Sequence, residues 1–407
     1  MNLSNATQVR FNFGSQAVWQ LDSANRLNIA PAMQTAPVAQ VRQAIETAFS
    51  QPLDFVPLDQ SVVPGDRIVF AVDSLLPQLC DVVTESLCWF AHHGVLASNM
   101  TVVLTPTSQA LVESLKNRIG DSDCAAASVQ VHDPDSAECV AYLAANDASD
   151  PIYINRTVVD ADVVVPISCA TPPGQLDNLG CYGVFPLLSD RATRGRFYSL
   201  PRLIDVANRE TLLSWANQAA WWLGLMASVQ VVPGCEERPL EVFAGTPDAL
   251  LAACDASMKA SWATEVAEPL SEIVVACLDD NATQQSWLAV ARALDTASKC
   301  VAPGGTIVLC TSLSEPVGVG LSRLRQSHES QDVIAKQLAK DCHDDAIAAA
   351  VFLRCTAEHH VYLLSQHRKE TLENLGIGFI ENASQLNHLV SQFPSCTLLK
   401  SAQHAWL

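Results

Sequence analysis

Short apolar runs rich in β-branched residues alternate with longer runs of helical spacing, and this alternation constrains the fold more than any other feature of the chain. Arg67–Val72 is predicted to be a buried strand, and Leu79–His92 follows it with apolar residues three and four positions apart. The predicted strands are apolar throughout, which is typical of a parallel sheet that helices cover on both faces. The pattern therefore predicts an α/β fold.

The alternation continues to the C-terminus in two series. A chain of 407 residues is long enough for two domains. We place the boundary between residues 1–266 and 267–407, and we expect each domain to hold a parallel, Rossmann-like sheet flanked by helices. The further predicted strands are Met100–Leu104, Ser128–His132, Ala161–Ile167, Glu241–Ala244, Glu272–Leu278, Thr306–Thr311, His360–Leu364 and Cys396–Lys400.

The charge balance and the cysteines narrow the class of protein. Asp and Glu number 43 against 24 Lys and Arg, which gives a net charge of −19. Such a field repels phosphate backbones and anionic lipid, so we expect no nucleic-acid or membrane partner. The 14 Cys residues form no CxxC pair or zinc-finger spacing and sit mostly in apolar runs, which favours reduced thiols and predicts no metal site. No signal peptide or transmembrane run is visible, so a cytoplasmic protein is expected.

Short polar side chains follow the predicted strands, where ligands bind in open parallel sheets. Asp73-Ser74 follows the first of these strands, Thr105–Ser108 the second, and Ser168-Cys169 a later one. Helix capping is an adequate explanation for Ser74 and Ser108. A carboxylate at Asp73 is a candidate site residue.

The segment 174–202 is rich in Gly, Pro, Asp and Arg and has no clean period. We interpret it as a long functional or irregular segment. Guanidinium groups bind carboxylates or phosphates with two parallel hydrogen bonds. The alternative is a solvated helix start whose arginines neutralise nearby acids. The candidates are Tyr182, Asp190, Arg191, Arg194, Arg196 and Arg202.

Several stretches, in order over roughly residues 60–400, together resemble the nickel-dependent lactate racemase family. That resemblance implies two α/β domains with an active-site cleft between them, and isomerase activity on a 2-hydroxy acid. The stretches are Gly65–Asp73 with Pro77, Thr101–Thr107, Asn155-Arg156, Val242–Gly245 and Pro303–Ile307.

The functional residues that the resemblance implies are mostly missing. The family attaches a nickel-pincer nucleotide to a Lys, holds nickel with a His, and exchanges the substrate proton with two His. Residues 155–230 contain no Lys and no His. A family Arg aligns with Leu76, and one catalytic His aligns with Ser108. Asp73 and Arg156 are retained, and Arg292 keeps the cation of a substrate-binding Lys.

We therefore expect a divergent member, and two hypotheses remain open. The first is an enzyme with altered isomerase chemistry or a different cofactor. The second is a non-catalytic carboxylate binder or sensor that uses cleft closure. The substrate, cofactor and oligomeric state are not predicted, and no metal ligands are assigned. The candidate catalytic residues are Asp73, Ser108, Tyr182 and Asp190, and the candidate substrate-binding residues are Thr107, Arg156, Arg191 and Arg292.

Overall fold

The computed structural model describes most of the chain, in thirteen stretches. These are residues 7–12, 18–23, 26–30, 37–147, 149–172, 182–198, 206–235, 238–264, 266, 268–278, 285–325, 329–341 and 343–407. The strands, in chain order, are β1 Thr7–Asn12, β2 Val18–Ser23, β3 Arg26–Ala30, β4 Ile68–Val72, β5 Met100–Leu104, β6 Ser128–Val131, β7 Val140–Ala145, β8 Pro151–Asn155, β9 Val163–Cys169, β10 Ser228–Pro233, β11 Pro239–Gly245, β12 Ser271–Cys277, β13 Val301–Cys310, β14 His360–Leu364, β15 Gly378–Ile380 and β16 Ser395–Leu399.

Helices lie between most of these strands. They are α1 Val41–Ser50, α2 Leu79–His92, α3 Gln109–Gly120, α4 Arg156–Val159, α5 Arg191–Phe197, α6 Val206–Trp222, α7 Pro247–Trp262, α8 Trp287–Cys300, α9 Val319–Ser322, α10 Gln331–Asp341, α11 Ala346–Glu358, α12 Lys369–Glu373 and α13 Ala383–Val390. None of the helices in the described ranges combines the length and apolar character that crossing a bilayer requires.

The first large sheet has the strand order β11-β10-β9-β4-β5-β6. Its strands are parallel except at the β10–β11 edge, which is antiparallel. Every residue of β4 is buried, because helices cover both faces of this central strand. On one face, the rings of Phe49, Phe70, Trp89 and Phe90 pack edge-to-face or tilted at 5.1–5.9 Å. The α/β prediction is confirmed.

The second large sheet has the order β15-β14-β13-β12-β16-β3 and is parallel throughout. Its edge strand β3 comes from the start of the chain and pairs with β16 at the end. The predicted boundary at residue 266 therefore does not separate the two sheets by sequence, because an N-terminal strand covers the edge of the C-terminal one. Local periodicity contains no information about a pairing over so long a separation.

Two antiparallel hairpins, β1–β2 and β7–β8, lie outside the large sheets. Neither was predicted. In β7–β8 the buried and exposed residues do not alternate cleanly, and the register shifts between Tyr142 and Ala144. Every cysteine in the described ranges is a free thiol.

Candidate functional site

The carboxyl edge of the first sheet brings together residues that follow three neighbouring strands. The amides of Asp73, Thr105 and His132 each donate to a carbonyl of the adjacent strand, at 2.9, 3.0 and 2.9 Å. Strands β5 and β6 lie on one side of β4, and β9 and β10 lie on the other. Ligands bind at such a reversal of strand order in open parallel sheets. The strands β4 and β9 flank this reversal. Asp73 directly follows β4, and Ser168 lies near the end of β9.

Asp73 and Ser74 form a tight turn rather than a helix start. The Asp73 carboxylate accepts a hydrogen bond from the Leu75 amide at 3.0 Å. The Ser74 amide donates to Thr105 Oγ1 at 2.9 Å, and the two hydroxyl oxygens lie 2.7 Å apart. Helix capping is therefore the wrong interpretation for Ser74, since α2 begins only after Gln78, a residue with φ +47°. Asp73 lies half-buried at the predicted edge.

Ser108 caps a helix, which is one of the two roles that its position in the sequence suggested. Its hydroxyl accepts from the Leu111 amide at 3.4 Å at the start of α3. Ser108 is exposed, and Thr107 beside it is half-buried. The hydroxyl that aligns with a catalytic imidazole of the family is thus engaged by the backbone of its own helix.

Arg156 serves the β7–β8 hairpin. Its guanidinium donates to the carbonyls of Glu138 at 2.9 Å and Val140 at 2.8 Å, and the contact is exposed. Asn155 beside it caps α4 by accepting from the amides of Thr157 and Val158. The structure therefore places the Arg156 side chain against hairpin backbone.

Asp190 and the arginines after it form a capped helix and an ion-pair network. Asp190 accepts from the Thr193 amide at 3.1 Å at the start of α5. Arg191 binds Asp135 with two hydrogen bonds of 2.5 Å, which hold the pKa of the Asp135 carboxyl below its usual range. Arg191 also lies 3.6 Å, and Arg194 3.1 Å, from the carboxylate of Asp344. Neutralisation of nearby acids is therefore what these two arginines do.

The Asp344 pairs connect the two halves of the chain. Asp344 precedes α11, whose Ile347 packs into an apolar cluster with Val184 and Leu188 of the first half. Arg191 contacts carboxylates from both halves, so the structure gives it an interdomain bridging role.

Arg202 and residues 173–181 fall outside the described residues.

Tyr182 packs at the edge of this same cluster and is half-buried. Gly183 beside it has φ +63°, and a Cβ there would approach Ser168 Oγ to 3.0 Å. The glycine thus lets the chain pass close to the end of β9. Ser168 in turn accepts from Gln230 Nε2 at 2.5 Å, and both side chains are buried.

His132 is a buried group that sequence reasoning did not assign to the site. Its Nε2 lies 2.9 Å from the Ser189 carbonyl, and its Nδ1 lies 3.2 Å from Asn155 Nδ2. Because the Asn155 carbonyl oxygen already accepts two amides, its nitrogen donates to Nδ1, and Nε2 carries the proton. Burial lowers the pKa of His132, so the ring is a neutral structural link between the edge of the sheet and the residue before Asp190.

The carboxyl edge of the second sheet carries a different set of polar groups. Gln285 Oε1 accepts from the Ser312 amide at 2.9 Å and from the Thr311 hydroxyl. Ser286 caps α8 by accepting from the Ala289 amide at 3.2 Å. Residues 279–284, including Gln284, fall outside the described ranges.

Arg292 and His404 are buried at this second edge. Arg292 lies in α8 and is 8% exposed, and His404 follows β16 and is 4% exposed. Burial, with the charge of Arg292 as a further cause, lowers the pKa of His404 from 6.5 to about 3. The ring is therefore uncharged at neutral pH, and Arg292 supplies the positive charge beside it. No prediction singled out His404, because the stretch of sequence after β16 carries several polar residues and does not read as buried.

The chain end joins the two carboxyl edges. The Ala402 amide donates to the Cys277 carbonyl at the end of β12 at 3.0 Å, and Ser401 Oγ lies 4.0 Å from Cys235 Sγ, just after β10. Trp406 exchanges backbone hydrogen bonds with Trp262 and Thr264 at 2.9 and 2.7 Å. The carboxyl ends of β10 and β12, one from each large sheet, therefore lie close together at this chain end.

A separate cavity of about 140 Å³, lined by both polar and apolar groups, lies at the opposite, amino edge of the first sheet. Phe55, Leu58, Phe90, Val163 and Val229 contribute to its wall. Val163 begins β9, whereas Ser168 lies near its end, so this cavity is not part of the cleft.

The described residues do not fit the nickel-pincer nucleotide that the resemblance implies. That group needs a Lys for attachment and imidazole for nickel, and residues 155–230 contain neither. At the first carboxyl edge, both nitrogens of His132 are engaged in hydrogen bonds. Within the described ranges, no three His, Cys, Asp or Glu residues are grouped to hold a metal ion.

Residues 14–172 match the family model described as the lactate racemase N-terminal domain. The resemblance predicted from the sequence is thereby confirmed for this part of the chain. No curated protein sequence matches the chain.

Two solved structures share the fold of the whole chain. The structure of the lactate racemase apoprotein from Thermoanaerobacterium thermosaccharolyticum matches with a TM-score of 0.75 at 12% identity, covering 98% of this chain and 99% of that one. The crystal structure of a protein from Thermotoga maritima matches with a TM-score of 0.64 at 13% identity, covering 90% and 97%. The chain thus has the fold of lactate racemase, with two α/β domains.

Proposed function

We propose that the protein binds a small 2-hydroxy acid or a related carboxylate in the cleft between the two carboxyl edges, and does not racemise it. The observation that carries the proposal is the buried guanidinium of Arg292 at the edge of the second sheet. The protein has a net charge of −19 and so repels anions in general. A buried cation at the expected ligand position would therefore attract an anion to that one place.

The chemistry of Arg292 favours a carboxylate ligand. A guanidinium offers planar, paired donors that match the two oxygens of a carboxylate. Its exposure of 8% places it where the effective dielectric is lower than in water, which strengthens an ion pair with a ligand. The neighbouring His404 is neutral and adds no second charge.

The contacts of the predicted catalytic groups favour binding over turnover. Ser108 and Asp190 each accept a helix-capping hydrogen bond, and Asp73 accepts one in its own turn. A general base for α-proton removal needs a lone pair directed at the substrate. Each of these three groups uses one side-chain oxygen to stabilise local backbone, which is a structural role.

Isothermal titration with D-lactate and L-lactate tests the proposal. We expect binding by the native protein and a loss of at least about thirtyfold in affinity for Arg292→Ala, because removing a buried charged partner costs at least ~2 kcal/mol. Arg325→Ala, which removes an exposed arginine, is the matched control and should bind normally. Equal affinities for Arg292→Ala and the native protein would contradict the assignment of the cleft.

Two further measurements, on protein purified from its source organism, distinguish an enzyme from a protein that only binds its ligand. A chiral assay that shows interconversion of D- and L-lactate would contradict binding without turnover. An intact mass with a covalent nucleotide-sized adduct would contradict the loss of the family cofactor. We expect neither interconversion nor an adduct.

A further inference from the structure

Two thiols lie in contact beside the first sheet. Cys88 belongs to α2, and Cys124 belongs to the loop that follows α3. Their sulfur atoms are 3.7 Å apart, and the thiol of Cys124 donates to Cys88 Sγ. At this distance the sulfurs touch, so no other group lies between them. We call Cys88 and Cys124 the thiol pair.

The thiol pair is held in place by the contacts around it. Arg118, near the end of α3, donates to the Asp81 carboxylate of α2 at 2.9 Å, which fixes one helix against the other. In the loop after α3, the amide of Cys124 donates to Ser122 Oγ at 3.1 Å. The approach of the two sulfurs is therefore built into the packing of α2 against α3 and its loop.

The two thiols differ in their access to solvent. Cys124 is fully buried, with an exposure of 0%, whereas Cys88 is half-buried. Burial, with the neighbouring Cys88 as a further cause, raises the pKa of the Cys124 thiol to about 12. Cys124 therefore stays protonated at neutral pH, and a small oxidant dissolved in water meets Cys88 first.

We propose that the thiol pair is a modification site, at which hydrogen peroxide converts the two thiols into a disulfide. In the first step the Cys88 sulfur takes one peroxide oxygen, the O–O bond breaks, and a sulfenic acid and one water form. In the second step the Cys124 sulfur attacks the Cys88 sulfur. The S–S bond forms, the S–O bond breaks, and the sulfenic hydroxyl leaves with the thiol proton as a second water. The two thiols are oxidised, and the peroxide is reduced.

The geometry requires a small adjustment for this bond to form. The sulfurs of a disulfide are about 2.0 Å apart, so the pair must close by about 1.7 Å from its present 3.7 Å. Rotation about the two Cα–Cβ bonds moves the sulfurs while the backbone stays in place. The bond joins residues 36 positions apart in the chain, and such a link stabilises a folded protein mainly by restricting its unfolded chain.

Peptide mapping of oxidised protein tests the proposal. Cleavage after Lys and Arg places Cys88 in the peptide of residues 68–116 and Cys124 in the peptide of residues 119–156. These peptides also contain Cys80 and Cys139, so the experiment uses the Cys80→Ser/Cys139→Ser protein as its background. A disulfide between the two peptides then joins Cys88 to Cys124. Chains that stay single on a non-reducing gel are the ones analysed, which excludes links between copies.

We expect hydrogen peroxide to link the two peptides and dithiothreitol to release them. The oxidised protein should also unfold at a temperature a few degrees higher than the reduced protein. Cys88→Ser in the same background is the matched control and should show neither the link nor the shift. Cys88→Ala serves the same purpose if the serine variant does not fold.

Two results would overturn the proposal. The first is recovery of both thiols in reduced form after exposure to hydrogen peroxide. The second is recovery of Cys88 as a sulfinic acid beside a reduced Cys124, which would show that the sulfurs do not reach each other. Neither measurement involves a ligand of the cleft, so this proposal stands or fails independently of the proposed function.

Discussion

Replacement of His404 by glutamine should change how the stability of the protein depends on pH. The ring has a pKa of about 3 in the folded protein against 6.5 in its ordinary state, with burial as the largest cause and the charge of Arg292 as a further one. Below pH 6.5 the His404 ring is therefore protonated in the unfolded chain but stays neutral in the folded protein. The free energy of unfolding must fall as the pH falls from 6.5 toward 3.

The size of this effect follows from the two pKa values. At pH 5 the unfolded His404 is almost fully protonated and the folded one is almost fully neutral, which lowers the stability by about 2 kcal/mol relative to pH 8. Glutamine has no proton to gain in this range. The native protein should therefore lose about 2 kcal/mol more than His404→Gln between pH 8 and pH 5.

Urea unfolding at pH 8 and pH 5 measures this difference. The burial-lowered pKa values of His132, His359 and His367 contribute equally to both proteins and cancel in the comparison. His388→Gln, which changes an exposed histidine, is the control and should keep the native pH dependence. Parallel pH dependences for the native protein and His404→Gln would refute the reasoning.

Other contacts make further predictions. Gly183→Ala should lower the free energy of unfolding by roughly 1–3 kcal/mol, measured by urea titration, since φ is +63° and the new Cβ meets Ser168 Oγ at 3.0 Å; an unchanged midpoint would contradict this. Asp344→Asn should destabilise the protein by about 1 kcal/mol at low salt and by less in 1 M salt, because it removes a carboxylate shared by two arginines; a salt-independent loss would argue against an ionic contribution. Thr105→Val should lower the unfolding temperature, because it leaves the buried Ser74 without its hydroxyl partner; a native unfolding temperature would show that this contact is dispensable.

The elements that could be predicted from the sequence are those whose burial produces a recognisable pattern among neighbouring residues. Strand β4 is buried along its whole length, so its residues form a continuous apolar run that marks it as a central parallel strand. Strand β7 of the antiparallel β7–β8 hairpin is also apolar, but none of its residues is buried, and β3 pairs only with the distant β16. No short stretch of sequence shows that β3 and β16 pair with each other.

The site shows the same division. The strand ends at Asp73 and Thr105 were correctly expected to meet, because the carboxyl ends of neighbouring parallel strands share one edge. The partners of side chains were not predictable: Arg191 binds Asp135, which lies more than fifty residues earlier in the chain, and contacts Asp344, which lies more than a hundred residues later. His404 was missed because its importance comes from a chain end that folds back between the sheets.

A crystal structure of the protein grown with L-lactate tests the central claim most directly. The account predicts the lactate carboxylate on the guanidinium of Arg292, between the carboxyl edges of the two sheets. Lactate bound away from Arg292, for instance in the cavity at the amino edge, would contradict the account. A covalently attached nucleotide in the cleft would contradict it as well.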